Sequence, residues 1–221
     1  MNDIGGQSWF KKEEVDEWMA KKGRKAGGGR VSQLDILKGD IDPLTKRIAF
    51  VAILTAELEK EGFSPVAGGN YAVELYTEGG YKATSIDLFA PADVLDKTLL
   101  TWGFEKEKGA LVHKEIGITV AFLGENLSHD QLEHVNQVDV NGFPVYLLGV
   151  EDVIVAKLAD LVHRGESSAS AWAEELIEIH VNEIDRDYLK KRAEQEGVMV
   201  TLHEILAELG LENRELYVYE G

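Results

Sequence analysis

Hydrophobic residues recur at helical spacing in several parts of the chain. Between Leu44 and Leu58 they lie three or four residues apart, which is the period of an amphipathic helix. Asp42-Pro43 supplies an N-cap acid and a proline suited to the first helical position, and Gly62 follows the pattern. The sequence therefore predicts a helix from residue 43 to about 60. The same reasoning predicts helices at residues 92–102, 150–164, 169–180, 185–196 and 201–209.

Strand patterns lie between the predicted helices. Residues 84–89 alternate between polar and apolar positions, as a half-buried strand does. Residues 110–114 and 118–123 predict one hairpin. Residues 138–148 predict another around Asn141-Gly142, a dipeptide that favours tight hairpin turns. The mixture predicts an α/β (α+β) protein whose C-terminal portion is helical.

The stretch from Pro65 to Ala90 carries the candidate chemistry. Gly68-Gly69 follows a short apolar strand and opens a predicted helix. Because glycine has no Cβ atom and the first N–H groups of a helix are free, this turn can accept an anion such as a triphosphate. In the strand that follows, Ser85 and Asp87 share one face. We therefore expect Asp87 to point towards the Gly68-Gly69 turn.

This stretch resembles the nucleotidyltransferase superfamily with a DNA-polymerase-β-like palm, in particular its small bacterial members of unknown function. In that family a Gly-Gly or Gly-Ser pair precedes a helix and a strand with Asp-x-Asp, and a third acid lies on a neighbouring strand. The three acids hold two Mg²⁺ ions. Residues 82–87 are similar to the basic-x-Thr-Asp-x-Asp pattern, with Ser85 at the first acid. Residues 117–123 are similar to the third-acid strand, with Ala121 at the acid position.

The resemblance implies a fold and a nucleotide site. The fold is a nucleotidyltransferase-type mixed sheet flanked by helices over residues 31–150, with a helical C-terminal portion over residues 151–221. Residues 151–164 resemble a family helix whose lysine and later arginine lie near the nucleotide, although surface ion pairs are an open alternative for both. The implied nucleotide-binding residues are Gly68, Gly69, Lys82, Thr84, Lys157 and Arg164.

Two of the three implied metal ligands are absent, which decides the expected function. Two Mg²⁺ ions and a triphosphate need several hard oxygen ligands, and Asp87 is the one acid at the three positions. We expect Mg²⁺ binding to be weak or absent and catalysis to be weak or lost, with nucleotide or a protein partner bound instead. The alternative is an active Mg²⁺-dependent nucleotidyltransferase of toxin–antitoxin or phage-defence type. Its missing ligands would come from Glu74, Asp93, Glu115 or Asp139.

Residues 1–30 form a separate predicted region. Ser8–Met19 predicts an amphipathic helix and resembles the end of an excisionase-like or MerR-like winged DNA-binding domain, without its recognition helix. Lys21–Arg30 is a basic linker with three consecutive glycines. One interpretation is a helix that packs on its own protein or on a second copy. The other is a DNA-associated regulatory or adaptor protein.

Charge and cysteine content limit the function classes. The 221 residues carry a net charge of −17, although residues 1–30 have a small positive excess. The acidic main body would repel phosphate backbones, which argues against broad nucleic-acid binding. The sequence has no apolar run long enough to span a membrane and no signal-peptide core. The absence of cysteine excludes thiol chemistry and fits a cytoplasmic location.

Overall fold

The computed structural model describes residues 34–39 and 41–211. The chain divides into two compact units, of which the first ends at Leu148 and the second begins at Gly149. The predicted helix and linker of residues 1–30 lie outside the described residues, so their roles in oligomer formation or DNA association stay predictions. No helix in the described part is both long and apolar enough to cross a membrane.

One seven-stranded sheet is the centre of the first unit. Its strands are β1 (Val66–Ala67), β2 (Ile86–Phe89), β3 (Glu105–Glu107), β4 (Ala110–His113), β5 (Ile118–Gly124), β6 (Asn136–Val140) and β7 (Phe143–Leu147). They are ordered β3-β4-β5-β2-β1-β7-β6. β2 is parallel to β5 and β1 is parallel to β7, whereas the other neighbouring strands are antiparallel. The implied mixed sheet is therefore confirmed.

The long N-terminal helix of this unit forms as its sequence signals predict. The Asp42 carboxylate accepts a hydrogen bond of 2.9 Å from the Thr45 N–H and caps the helix, and Gly62 follows it in the left-handed conformation at φ 86°. Residues 48–54 are all buried, so this helix belongs to the core. The helices with described bounds are α1 (Pro43–Leu58, continued by a 3₁₀ turn at Glu59–Glu61), α2 (Gly69–Tyr76), α3 (Ala92–Thr101) and α4 (His129–Glu133).

Both predicted hairpins are confirmed. β4 and β5 pair antiparallel, with Leu111 opposite Val120. β6 and β7 are joined by Asn141 and Gly142, whose φ angles of 52° and 82° both lie in the left-handed region. A two-residue turn with this geometry matches the twist of the strands it connects, which explains the preference for Asn-Gly.

Two features of the sheet differ from the sequence-based expectation. β2 begins at Ile86 and not at residue 84, because β5 pairs with it from Ile86 onwards and β1 pairs only with its last two residues. β3 was not predicted. Its sequence Glu105-Lys106-Glu107 is exposed and charged throughout, so it lacks the alternation that signals a half-buried strand. Backbone pairing with β4 alone defines it.

The second unit is built from four helices with described bounds, which were predicted within a few residues. They are α5 (Val150–Arg164), α6 (Ser168–Ile179), α7 (Arg186–Gln195) and α8 (Met199–Glu208). A buried carboxylate connects α5 to α7. The Tyr188 hydroxyl and the Arg192 Nε–H each donate to the Asp152 carboxylate at 2.7 Å. Burial and this hydrogen bond raise the pKa of Tyr188, so its hydroxyl stays protonated.

Replacement of Asp152 by asparagine is expected to lower the free energy of unfolding by about 3 kcal/mol, because the mostly buried Arg192 would lose its buried carboxylate partner and keep only the exposed Glu196, at 3.2 Å. Urea unfolding of the full chain measures the change. Arg164→Gln is the control, because Arg164 pairs with Asp160 from an exposed position, and we expect a change within about 0.5 kcal/mol. Equal losses in the two variants would contradict a stabilising buried network.

Candidate functional site

The Gly68-Gly69 turn connects β1 to α2 and is fixed to β2 by its backbone. Gly68 is the N-cap of α2 in an extended conformation, and its N–H donates to the Asp87 carbonyl oxygen at 2.9 Å. Gly69 follows in the left-handed region, at φ 55°. The predicted order of strand, turn, helix and second strand is therefore confirmed, and the turn lies directly against Asp87.

Asp87 is buried at the start of α2 and both of its carboxylate oxygens are engaged. Its Oδ2 accepts a hydrogen bond of 2.9 Å from the Asn70 N–H, and its Oδ1 accepts one of 2.6 Å from the Ser85 hydroxyl. The first contact caps α2 with a carboxylate, where a negative charge is favourable. The expectations that Ser85 and Asp87 share a face and that Asp87 points to the turn are confirmed.

Close packing surrounds both glycines, and Gly69 also has a backbone conformation that favours glycine. A Cβ atom on Gly69 would lie 2.7 Å from Asp87 Oδ2, which is closer than real Cβ contacts allow. A Cβ atom on Gly68 would lie 2.8 Å from Phe89 Cε2 and 3.0 Å from Leu123 Cδ1. A structural explanation of the pair therefore stands beside the anion-binding one. The apolar side chains of Phe89 and Leu123 also border the turn.

Ala121 lies where the resemblance expects the third acid. In the parallel pair of β2 and β5, the Cα atom of Asp87 is the partner of the Cα atom of Ala121. The register places the Ala121 methyl group beside the Asp87 carboxylate, and the Ser85 hydroxyl donates to that carboxylate. Within residues 34–39 and 41–211, no group of three or more His, Cys, Asp or Glu side chains could hold a metal ion.

The basic candidates lie in different parts of the chain. Lys82 and Thr84 are exposed in the segment that precedes β2. Lys157 and Arg164 belong to the second unit, where both pair with Asp160 on the same helix, at 2.6 and 2.8 Å. Those ion pairs give the two residues a structural role. Their contact with nucleotide, like that of Lys82 and Thr84, stays a prediction.

The four acids that the active-enzyme alternative proposes as metal ligands lie in four different local environments. Glu74 pairs with Arg47, Glu115 pairs with Lys38 at 2.9 Å, Asp93 is in the first turn of α3, and the Asp139 carboxylate accepts from the Gly142 N–H at 3.0 Å. In the part of the chain that the structure describes, no hydrogen bond joins any of them to Asp87.

Sequence reasoning missed a buried polar cluster on the helix that follows the turn. Glu74 and Tyr71 of α2 are fully buried, and Glu74 forms an ion pair with Arg47 of α1. Burial raises the pKa of Glu74 against the opposing effect of Arg47, and it also raises the pKa of Tyr71. The sequence signal that could have indicated this cluster is a single glutamate, between Val73 and Leu75, in an otherwise apolar helix.

The seven-stranded mixed sheet and the helices beside it define a mixed α/β protein. The structure is similar to the crystal structure of an antigenic nucleotidyltransferase-like protein from Paracoccidioides brasiliensis, with a TM-score of 0.50 and 17% sequence identity. The match covers 72% of this chain and 89% of that chain. The chain therefore has a nucleotidyltransferase-like fold, as the sequence resemblance implied. No protein-family model and no curated protein matches it.

Tyr71→Phe is expected to raise the free energy of unfolding by about 1 kcal/mol, because the buried Tyr71 hydroxyl has no hydrogen-bond partner among the described residues. Tyr76→Phe is the matched control on the same helix. The Tyr76 hydroxyl donates to the Leu148 carbonyl oxygen at 2.8 Å and accepts from Asn136 Nδ2 at 2.9 Å, so its loss should cost about 1–2 kcal/mol. Thermal and urea unfolding measure both. A loss of stability in Tyr71→Phe would mean that the hydroxyl has a partner such as a buried water.

The raised pKa of Glu74 predicts a pH dependence of stability. The folded state holds the Glu74 proton more tightly than the unfolded state, so the free energy of unfolding should fall as the pH rises above 4.5 and through the raised pKa. Glu74→Gln removes this contribution. The unfolding free energy of Glu74→Gln minus that of the natural chain should therefore increase with pH, as urea titrations from about pH 4 to about pH 8 would measure. A difference that stays constant with pH would contradict the prediction.

Proposed function

We propose that this protein is a nucleotidyltransferase-fold protein with little or no nucleotidyl-transfer activity, which binds a nucleoside triphosphate weakly at the Gly68-Gly69 turn. The observation that carries the proposal is the set of groups at three converging positions, a single carboxylate at Asp87 beside the Ser85 hydroxyl and the Ala121 methyl group. A cytoplasmic location, inferred from the cysteine-free sequence, is part of the proposal.

The donor set fits one contact to Mg²⁺ and does not fit a pair of ions. A carboxylate has about four lone-pair positions, and Asp87 uses two of them for the Asn70 N–H and the Ser85 hydroxyl. One metal contact can therefore be added without breaking either hydrogen bond. Two divalent ions that clamp a transferring phosphoryl group need more charge than one carboxylate carries.

The N–H groups at the start of α2 already have acceptors, which supports weak and metal-dependent nucleotide binding. The Gly68 and Asn70 N–H groups already donate to the Asp87 backbone and side chain. A phosphate at the start of α2 would therefore compete with the Asp87 carboxylate for the Asn70 N–H and with the Asp87 carbonyl oxygen for the Gly68 N–H, and the charge of the carboxylate would repel it. A cation between Asp87 and the phosphates removes that repulsion. Lys82 and Thr84 are the proposed additional contacts from the segment before β2.

A second candidate function is a scaffold that binds a protein partner. Phe122 and Leu123 at the end of β5 are 45% and 41% exposed, and Leu123 borders the glycine turn. Exposed apolar side chains beside an acid-poor site suit contact with another protein better than catalysis. This candidate requires no nucleotide, so the experiment below separates it from the first.

Calorimetry of the natural chain with ATP, GTP, CTP and UTP, each with and without Mg²⁺, tests the proposal. We expect weak binding that requires Mg²⁺ and that falls about tenfold in Asp87→Asn, which removes the metal contact. Asp93→Asn is the matched control. This substitution makes the same change of charge at a residue in the first turn of α3. No heat with any nucleotide would remove the nucleotide proposal and favour the scaffold.

A rebuilt acid set tests the reason for the missing activity. In the double variant Ser85→Asp and Ala121→Asp, carboxylates occupy all three converging positions. We expect affinity for Mn²⁺ to rise by at least about tenfold, because two further hard ligands enter the site. Incorporation of labelled nucleotide into protein or RNA is followed in parallel. Incorporation by the natural chain that is lost in Asp87→Asn would overturn the proposal and establish the active enzyme.

A further inference from the structure

The second unit has a groove of about 310 Å³ between α6, α7 and α8. Its apolar wall includes Ile184, Leu189 and Leu206, whose side chains are otherwise buried in this unit. A volume of this size is at the lower end of the range for small-molecule sites, and sites of that kind are mostly apolar with a few charged or polar groups. The groove can therefore accept a small apolar group.

The ionisable side chains that line the groove differ from those of the chain as a whole. Among the described residues that line it, the ionisable side chains are Arg186, Lys190 and His203, and no acid is present. This is unexpected in a chain with 40 acidic and 23 basic residues. The lining of the groove thus differs in charge from the chain as a whole.

The three basic side chains differ in how they are held. An Arg186 guanidinium N–H donates to the Leu211 carbonyl oxygen at 3.0 Å, which fixes this side chain at the groove. Lys190 and His203 are exposed and form no hydrogen bond or ion pair with other residues of the described part. The Lys190 cation, which no acidic side chain of the described residues neutralises, lies next to an apolar wall and suits a ligand with an anionic head and an apolar tail.

From this arrangement we infer that the groove binds a small amphiphilic carboxylate, such as a single-chain fatty acid of medium length. The apolar tail lies against Ile184, Leu189 and Leu206, and the carboxylate lies near Lys190 and His203. The size of the groove favours a single short chain over a phospholipid. This inference concerns the second unit alone and does not depend on the proposed nucleotide site.

Titration of the full chain with decanoate, below its micelle-forming concentration, tests the inference. We expect saturable NMR shifts at the methyl groups of Ile184, Leu189 and Leu206. Decanol has the same tail without the charge and should bind roughly tenfold more weakly. Equal affinity for decanol and decanoate would show that the basic residues select nothing and would overturn the inference, as would the absence of saturable shifts.

Two neighbouring lysines provide a matched pair of variants. Lys190 lines the groove, whereas Lys191 is not among its lining residues, and both are exposed on α7. Lys190→Glu should weaken decanoate binding roughly fivefold, whereas Lys191→Glu, with the same change in net charge, should leave it within about twofold. Decanol binding should change little in either variant. Equal effects of the two substitutions on decanoate would mean that only net charge matters, which contradicts a site at the groove.

Discussion

The hydrogen bond from the Asn70 N–H to the Asp87 carboxylate is the interaction on which the candidate site depends. It joins the start of α2 to β2, and the Gly68 N–H adds a second bond to the Asp87 carbonyl oxygen. Helix and strand approach so closely here that Gly69 has no room for a Cβ atom. A carboxylate at this position therefore stabilises the helix end whether or not a nucleotide ever binds there.

Much of this site could be predicted because its signals are local. The Gly-Gly pair before a helical pattern and the alternation around Ser85 and Asp87 fix which side chains share a face. The place of Ala121 could be inferred only through the family resemblance, because strand pairing depends on contacts far apart in sequence. The structure supplies that register directly, with Ala121 opposite Asp87. The Tyr71, Glu74 and Arg47 cluster needed the packing of α1 against α2, which no local pattern contains.

Most helices and both hairpins could be predicted for a similar reason. Caps, prolines and the Asn-Gly turn act over a few residues, and the structure forms them with the expected geometry. β3 could not be predicted, because three exposed charged residues form a strand only through backbone pairing with β4. The basic groove of the second unit was missed as well. Arg186 and Lys190 are four residues apart on α7, but His203 and the apolar wall join them only through the packing of α8.

Net charge alone does not decide where this protein can bind an anion. At the glycine turn the helix N-terminus favours a negative group, yet the protein's own carboxylate already takes that place, so a phosphate gains little there without a cation. In the second unit an acidic chain presents three basic side chains around an apolar wall. What matters in each case is whether nearby groups already compensate the local charge. By that criterion Asp87 is compensated by α2 and Ser85, whereas the Lys190 and His203 side chains have no acidic partner in the described structure.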